Sequence, residues 1–395
     1  MSQYCSRSNI ELFAVYLSIF CVSFVSTSII PLANDMVMSF GITDDRNKTG
    51  TWAGLILTSL MLGRVISSPI WGYIMDSWGR RPVTLLALAC TAFFSICFGM
   101  TTNIISCLFI RFLLGATSPL MVTGKTLVSE LCKGEKVSSA MALLLQFWNV
   151  GYILASFTGG ILANPVKKGW FESDFFETFP FFLPFFISGL ICIFSFVLSY
   201  YYLRETLVKV QENTFIDRPQ RSIFKIITDR KVFPIIVVYV IMYFNAAASI
   251  EAITLLLWAR KDTGGFEMSV QEIGYMIGCS NLFILLFQRQ FYMYFVHRYG
   301  NYIVCIYGLT FLAIVNAIIP FVSVIENTYV TFCLLFILCI TFNMLEFMIS
   351  SSILVMQNNS VPPHELGRLN GTTSSLASFA RSFAPALTGL YFHQQ

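Results

Sequence analysis

Gly72-Tyr73-Ile74-Met75-Asp76-Ser77-Trp78-Gly79-Arg80-Arg81 closes one long apolar run and immediately precedes the next. Gly79 permits a tight turn between two helices, because it lacks the Cβ that disfavours positive φ. Arg80 and Arg81 mark the loop as cytoplasmic, since Lys and Arg accumulate on that side of membrane proteins. Asp76 places a carboxylate at a membrane boundary. There it needs a cation or the positive end of a helix.

The rest of the chain has the composition of a lipid-embedded protein. Its 395 residues are 56% hydrophobic, 16% aromatic and 12% charged, with a mean hydropathy of +0.71. A soluble domain carries about a quarter charged residues. The expected class is an all-α polytopic membrane protein. The net charge of +4 says less than where the charges lie. Eleven Cys occur mostly within apolar runs and form no Cys-x-x-Cys pair. They read as small buried hydrophobes, not as a disulfide framework or zinc knuckle. The first run, Leu12–Leu32, has no small-residue cleavage site and reads as a span that also directs insertion.

Crossing the hydrocarbon core takes about 20 apolar residues. Such runs fall near 12–33, 51–75, 82–101, 104–127, 138–162, 179–202, 233–258, 270–296, 301–324, 328–355 and 368–392, which makes eleven. With a cytoplasmic N-terminus, fourteen Lys and Arg fall inside and six outside. That bias sets the orientation. It places the sequon Asn47-Lys48-Thr49 outside and Asn358-Asn359-Ser360 inside. The polar stretch 204–232 divides the chain into an N-terminal bundle, 1–203, and a C-terminal bundle, 233–395.

The two parts echo each other. Trp78-Gly79-Arg80 after the second span is matched by Tyr299-Gly300-Asn301 after the eighth. Ala155-Ser156 with Gly159-Gly160 in the fifth is matched by Ala384-Pro385 with Gly389 in the eleventh. Such repeats build two pseudo-symmetric bundles around a mid-membrane substrate site. A six-plus-six repeat leads one to expect a twelfth span, and the C-terminal bundle with five then reads as truncated. In the fifth span, Gly151, Ala155 and Gly159 share one helix face, and Gly160 adjoins it. Small residues at this spacing let two helix backbones approach closely.

Ionisable groups within spans cost roughly 2.5–3.5 kcal/mol each at the helix centre, so they flag function or a structural ion pair. Here they are Arg64, Arg111, Lys125, Glu251, Arg289, Glu346 and Arg381. The many Phe near 171–186 read as lipid-facing and interfacial packing. Only His297, His364 and His393 exist, all near span ends, and no in-span cluster has metal-ligand spacing. No nucleophile triad or phosphate-binding glycine loop points to an enzyme, and nothing points to a cofactor or nucleic acid.

Gly72–Arg81, between the second and third spans, resembles the signature loop of the major facilitator superfamily of transporters. Arg111-Phe-Leu-Leu-Gly115 resembles that superfamily's fourth-span motif, whose Arg is linked to proton handling. The fifth-span array resembles its antiporter motif, with Ala155-Ser156 where Gly-Pro is usual. A narrower resemblance is to the zinc-induced-facilitator-like branch of drug:proton antiporters. It rests on Gly124-Lys125 with Glu130, Trp148-Asn149-Val-Gly151, Leu162-Ala-Asn-Pro165, Leu257-Trp258-Ala259, Gln357-Asn-Asn-Ser-Val361 and Ser378-Phe-Ala-Arg381. That branch usually has Lys where Arg381 stands.

The resemblance implies that spans one, four, seven and ten line a cavity, with two, five, eight and eleven beside them. Glu251, Glu346 and Arg111 become candidates for proton coupling. Lys125, Asn149, Gln288 and Arg381 become candidates for the substrate cavity. Gly72, Asp76, Gly79, Arg80 and Arg81 become a gating loop, with Asp76 accepted by the start of the eleventh span near Leu366. The expected function is secondary active transport: proton-coupled antiport or export of small organic solutes by a monomer in the bilayer. The plasma membrane and an endomembrane such as the vacuolar one suit it equally. The alternatives are a uniporter or symporter, a non-transporting sensor, or an inactive truncated product.

Overall fold

The computed structural model describes residues 2–42, 49–134, 136–170, 173–207, 221–258, 266, 268, 270–325 and 327–393. The sequon Asn47 with Arg46 and Lys48, and also Phe171, Lys209, Arg218, Arg260 and Lys261, lie outside them. So do the side chains of Cys5, Arg7, Ser156, Glu251, Ala384, Pro385 and His393.

The described residues form helices joined by turns and short irregular segments and contain no strand. The helices are α1 (Ser2–Thr27), α2 (Ala33–Ser39), α3 (Thr49–Trp78), α4 (Arg80–Gly99), α5 (Ile104–Ala116), α6 (Leu120–Leu131) and α7 (Lys136–Leu162). They continue with α8 (Asp174–Thr178), α9 (Phe182–Tyr202), α10 (Ile223–Ile227), α11 (Phe233–Trp258), α12 (Val270–Ile318), α13 (Thr328–Asn359) and α14 (Leu366–His393). In lipid a backbone must satisfy its own hydrogen bonds, and helices do so within one segment.

Among the described residues, nine helical stretches are long and apolar enough to cross a membrane. One of them, Cys279–Val322, has 44 residues. At 1.5 Å per residue it would run about 66 Å, roughly twice the hydrocarbon core. It breaks at Gly300 (φ 78°, ψ 162°), so it supplies two crossings. Gly79, between α3 and α4, has nearly the same backbone (φ 116°, ψ 163°). The sequence echo at these two glycines is thus an echo of conformation.

Two expected runs differ in detail. The first helix stops at Thr27, and a turn through Pro31 leads into α2. The run expected as unbroken over 104–127 is interrupted at residues 117–119. Pro119 caps α6 and has no N–H to continue α5.

The described residues pack into two compact units. The first comprises Met1–Lys133, Phe147–Thr228 and Val361–Phe379. Its core gathers Val22, Val25, Leu88, Leu114 and Phe185, with Phe98 and Phe185 edge to face at 4.6 Å. α3 and α5 touch backbone to backbone: a Cβ on Gly63 would strike Phe112 O, and one on Gly115 would strike Leu60 O. The second unit comprises Gly134–Gln146, Asp229–Ser360 and Ala380–Gln395. Its core centres on Tyr292, Met344, Phe347 and Met348. Tyr292 Oη donates to Asn301 Oδ1 (2.7 Å), and Asn301 Nδ2 donates to Ser138 Oγ (3.1 Å).

Large apolar side chains such as Ile66, Phe93, Ile105, Phe109, Phe157 and Phe194 are exposed. That is the surface a bilayer solvates. Most described Cys are buried or half-buried, but Cys279 and Cys333 are exposed, which corrects the expectation for those two. They lie on helices whose outer faces are apolar, where a thiol costs little.

Gly115→Val should destabilise the first unit, because the added side chain meets backbone that cannot swing aside. We expect a loss of about 1–3 kcal/mol, the usual range for overpacking, in melting of the detergent-solubilised protein. An unchanged melting temperature would mean that α3 and α5 are not in this contact.

Candidate functional site

The end of α3 next to Gly79 meets the start of α14 within the first unit. Pro362 and Pro363 lead into a short 3-10 turn (Pro363–Glu365), after which α14 begins with unsatisfied amides. Asp76 takes two of them: Gly367 N donates to Oδ1 (3.1 Å) and Arg368 N to Oδ2 (2.9 Å). The carboxylate thus sits on the positive end of a helix. Three glycines allow the approach. A Cβ on Gly72 would strike Gly367 O, one on Gly367 would strike Asp76, and one on Gly371 would strike Ser68 O.

Arg80 is the centre of this site and is fully buried. By sequence it is a topological charge expected to steady the Asp76 carboxylate, and the fold also encloses it. Its Nη2 lies 3.3 Å from Asp76 Oδ1 and 2.9 Å from Glu130 Oε1, and it donates to Pro363 O (2.9 Å). Nε also donates to Glu130 Oε1 (3.0 Å), and Nη1 donates to Met75 O (3.0 Å). The far oxygen of Glu130 accepts from Thr206 Oγ1. Arg81 instead reaches Tyr200 O (2.8 Å) at the surface.

Glu205 caps α4. Its Oε1 accepts from Arg80 N (2.9 Å) and its Oε2 from Arg81 N (3.1 Å). A Cβ at Gly79 would collide with that carboxylate, so glycine is required there by space as well as by φ. Arg221, just before α10, grips Glu365 with contacts of 2.6–3.1 Å and receives Arg368 Nη1 on its carbonyl (3.3 Å). Sequence reasoning assigned no gating role to Glu130, Glu205, Thr206, Arg221 or Glu365. Their available signal was position: each lies at a helix end in a segment placed on the Gly79 side.

The remaining candidates lie elsewhere. Arg111 is buried in α5, where it donates to Val25 O (3.4 Å) and Ser26 O (3.1 Å) and lies over the Phe98 ring. Lys125 is buried in α6, and Asn149 is half-buried in α7. In the second unit Gln288 is fully buried. There Arg381 sits 4.1 Å from the centre of the Tyr243 ring and interacts electrostatically with Glu346 of α13. Arg289 donates to Ser139 Oγ (3.0 Å). Gly151 and Gly159 press against the carbonyls of Phe20 and Ser28, with Ala155 buried between them. Gly160 does not share that role. It is exposed with open space where a Cβ would be, because one residue turns it about 100° from Gly159.

Residues 15–385 match the family model of the Major Facilitator Superfamily. The chain belongs to that superfamily. As a member it is an integral, multi-pass membrane transport protein. It is 25% identical to Protein Zinc Induced Facilitator-Like 1 of Arabidopsis thaliana, over 97% of this chain and 84% of that one. It is 23% identical to the multidrug transporter mfsB of Aspergillus fumigatus, over 96% and 78%. In fold it is similar to the human organic anion transporter MFSD10, with a TM-score of 0.76 at 18% identity, over 98% and 94% of the two chains.

Arg80→Ala should leave Asp76 and Glu130 buried without their shared cation. Breaking a buried pair costs about 3–5 kcal/mol, and adding Glu130→Gln should recover part of it. Melting of the purified variants measures both. A cost below about 1 kcal/mol would place the cluster in water.

Proposed function

We propose that this facilitator is a proton-coupled exchanger that exports small organic solutes by alternating access. The observation that carries the reading is Glu346, a carboxylate in a membrane helix within the electrostatic reach of Arg381. A carboxylate there can take a proton from one side and release it to the other, with Arg381 holding the ionised form. Glu251 is a second candidate on its sequence position alone, a carboxylate within the membrane helix α11. Multidrug and organic anion transporters among the similar proteins support an organic solute. Arg381 and the buried Lys125 suit an anionic one. Among the described residues no group of three or more His, Cys, Asp or Glu could hold a metal ion, which favours an organic cargo over bare zinc.

In this reading 1–203 and 233–395 are the two rocking bundles. The N-terminus, the Gly79 end and the central loop 204–232 are cytoplasmic, and the protein works as a monomer. The Asp76–Arg80–Glu130 cluster then latches the cytoplasmic side while the cavity opens outward. Asp76→Asn should weaken the latch, shift the population inward and cut turnover several-fold at normal surface expression. Wild-type flux in that variant would remove the gating role.

Glu346→Gln should abolish dependence on the pH gradient in proteoliposomes and spare substrate counterflow, which moves no net proton. Gradient-driven transport surviving in both Glu346→Gln and Glu251→Gln would make Glu346 a fixed partner of Arg381. A uniporter or symporter would then be the better reading, and the proximity of Arg381 is what keeps it in view.

A further inference from the structure

After the central polar stretch the chain returns to the membrane through α10 and the start of α11. Ile223, Ile226 and Ile227 share one face of α10, at i, i+3 and i+4. That face packs along Arg368, Leu369 and Thr372 in the first turns of α14. Arg221 ties the same end down through Glu365 (2.6 Å). The rest of α10 faces away: Phe224 is 73% exposed, and Lys225 beside it is exposed. The pairing recurs as the chain enters α11. Arg230 and Lys231 are exposed, and the apolar crossing begins at Phe233, which is 52% exposed. Two aromatics thus bracket three cations along one short segment. Asp229, the acid among them, turns its carboxylate onto the amide of Lys231 (2.9 Å).

A single exposed Phe needs no explanation, but the place of this one does. Lys231 stands two residues before a membrane crossing, so it lies at headgroup depth. From Thr228 to Phe233 the chain reaches at most about 18 Å. That tether, with the packing on the start of α14, keeps α10 near the water–lipid boundary.

We infer that the segment Phe224–Phe233 binds the headgroups of anionic phospholipids, with Lys225, Arg230 and Lys231 on the headgroup charges and the two rings in the interface. Charge chooses among lipids: a zwitterionic headgroup offsets its own phosphate, whereas an anionic one leaves a net charge for the cations. Each Lys or Arg near an anionic surface contributes about fivefold in affinity. Aromatic rings favour headgroup level on either kind of lipid. The site stands apart from the Glu346 reading, and its test needs no transport.

The test follows amide hydrogen exchange of residues 221–233 in the whole protein, held in phosphatidylcholine bicelles into which phosphatidylserine is titrated. In wild type the exchange should slow saturably as phosphatidylserine rises, and high salt should reverse the effect by screening it. The triple variant Lys225→Gln, Arg230→Gln, Lys231→Gln changes only exposed side chains and should melt like wild type in neutral lipid. It should need about tenfold more phosphatidylserine, or beyond, for half protection. Phe224→Ala should weaken binding several-fold and keep the salt dependence. No protection of wild type by phosphatidylserine, or a wild-type half-point in the triple variant, overturns the proposal. Equal protection by inorganic phosphate in neutral lipid would assign a soluble phosphate ligand and overturn it too. Equal protection there by polyglutamate would do the same in favour of an acidic protein partner.

Discussion

Arg80 is a guanidinium with no access to water, and the Gly79 end of the first unit is arranged around satisfying it. An unpaired charge in that place would be prohibitive, so each of its donors must find an acceptor. Those acceptors come from the end of α3, from Glu130 in α6 and from Pro363 before α14. A lysine could not replace it: three donors on one point charge do not span these directions, whereas a planar fork does. The cluster holds two carboxylates near one cation, and each carboxylate has outside help. Asp76 has the amides of Gly367 and Arg368, and Glu130 has Thr206. The glycines at 72, 367 and 371 follow from the same need, because amides can reach Asp76 only if the two backbones touch.

Much of the fold was legible because lipid imposes a length and a polarity on each crossing, and both can be read from a window of residues. The turn at Gly79 and the break at Gly300 were legible for the same reason: each falls where an apolar run ends. The interruption at 117–119 was not, since Thr117 and Ser118 are mild and one proline inside an apolar run can also sit in a kinked helix. α14 answers to the run expected at 368–392, although it does not stand among the nine apolar stretches: Thr372 and Thr373 turn their hydroxyls back onto Arg368 O and Leu369 O. A hydropathy window counts those hydroxyls as exposed polar groups, while the helix itself satisfies them.

At the candidate site, legibility fell with separation along the chain. Asp76 and Arg80 lie four residues apart, and their pairing is a local helix-end relation. Glu130 lies 50 residues from Arg80, and Glu205 lies 125 away. Nothing in one sequence says which of several acids at helix ends will meet a given arginine. Gly160 failed for a finer reason. Adjacent glycines look alike in a motif, but a helix gives only one of them to the neighbouring backbone.

A latch in a transporter has to hold one state and still release it. A protein that alternates between two arrangements needs them within a few kcal/mol of each other, or the minor state is never visited. A hydrophobic seam of the same area would add stability roughly in proportion to the surface it buries, and would be hard to open. A buried ion cluster behaves otherwise: its attraction is largely offset by the cost of drying its charges, so its net contribution is small. Its geometry is nevertheless demanding, because displacing one partner strands the others. Small net stability with steep dependence on position is what a reversible latch requires. On the proposed gating role, the Asp76–Arg80–Glu130 cluster suits this use: its charges are buried and paired at 2.9–3.3 Å, and the bare glycine contact behind it adds almost no apolar area to resist opening.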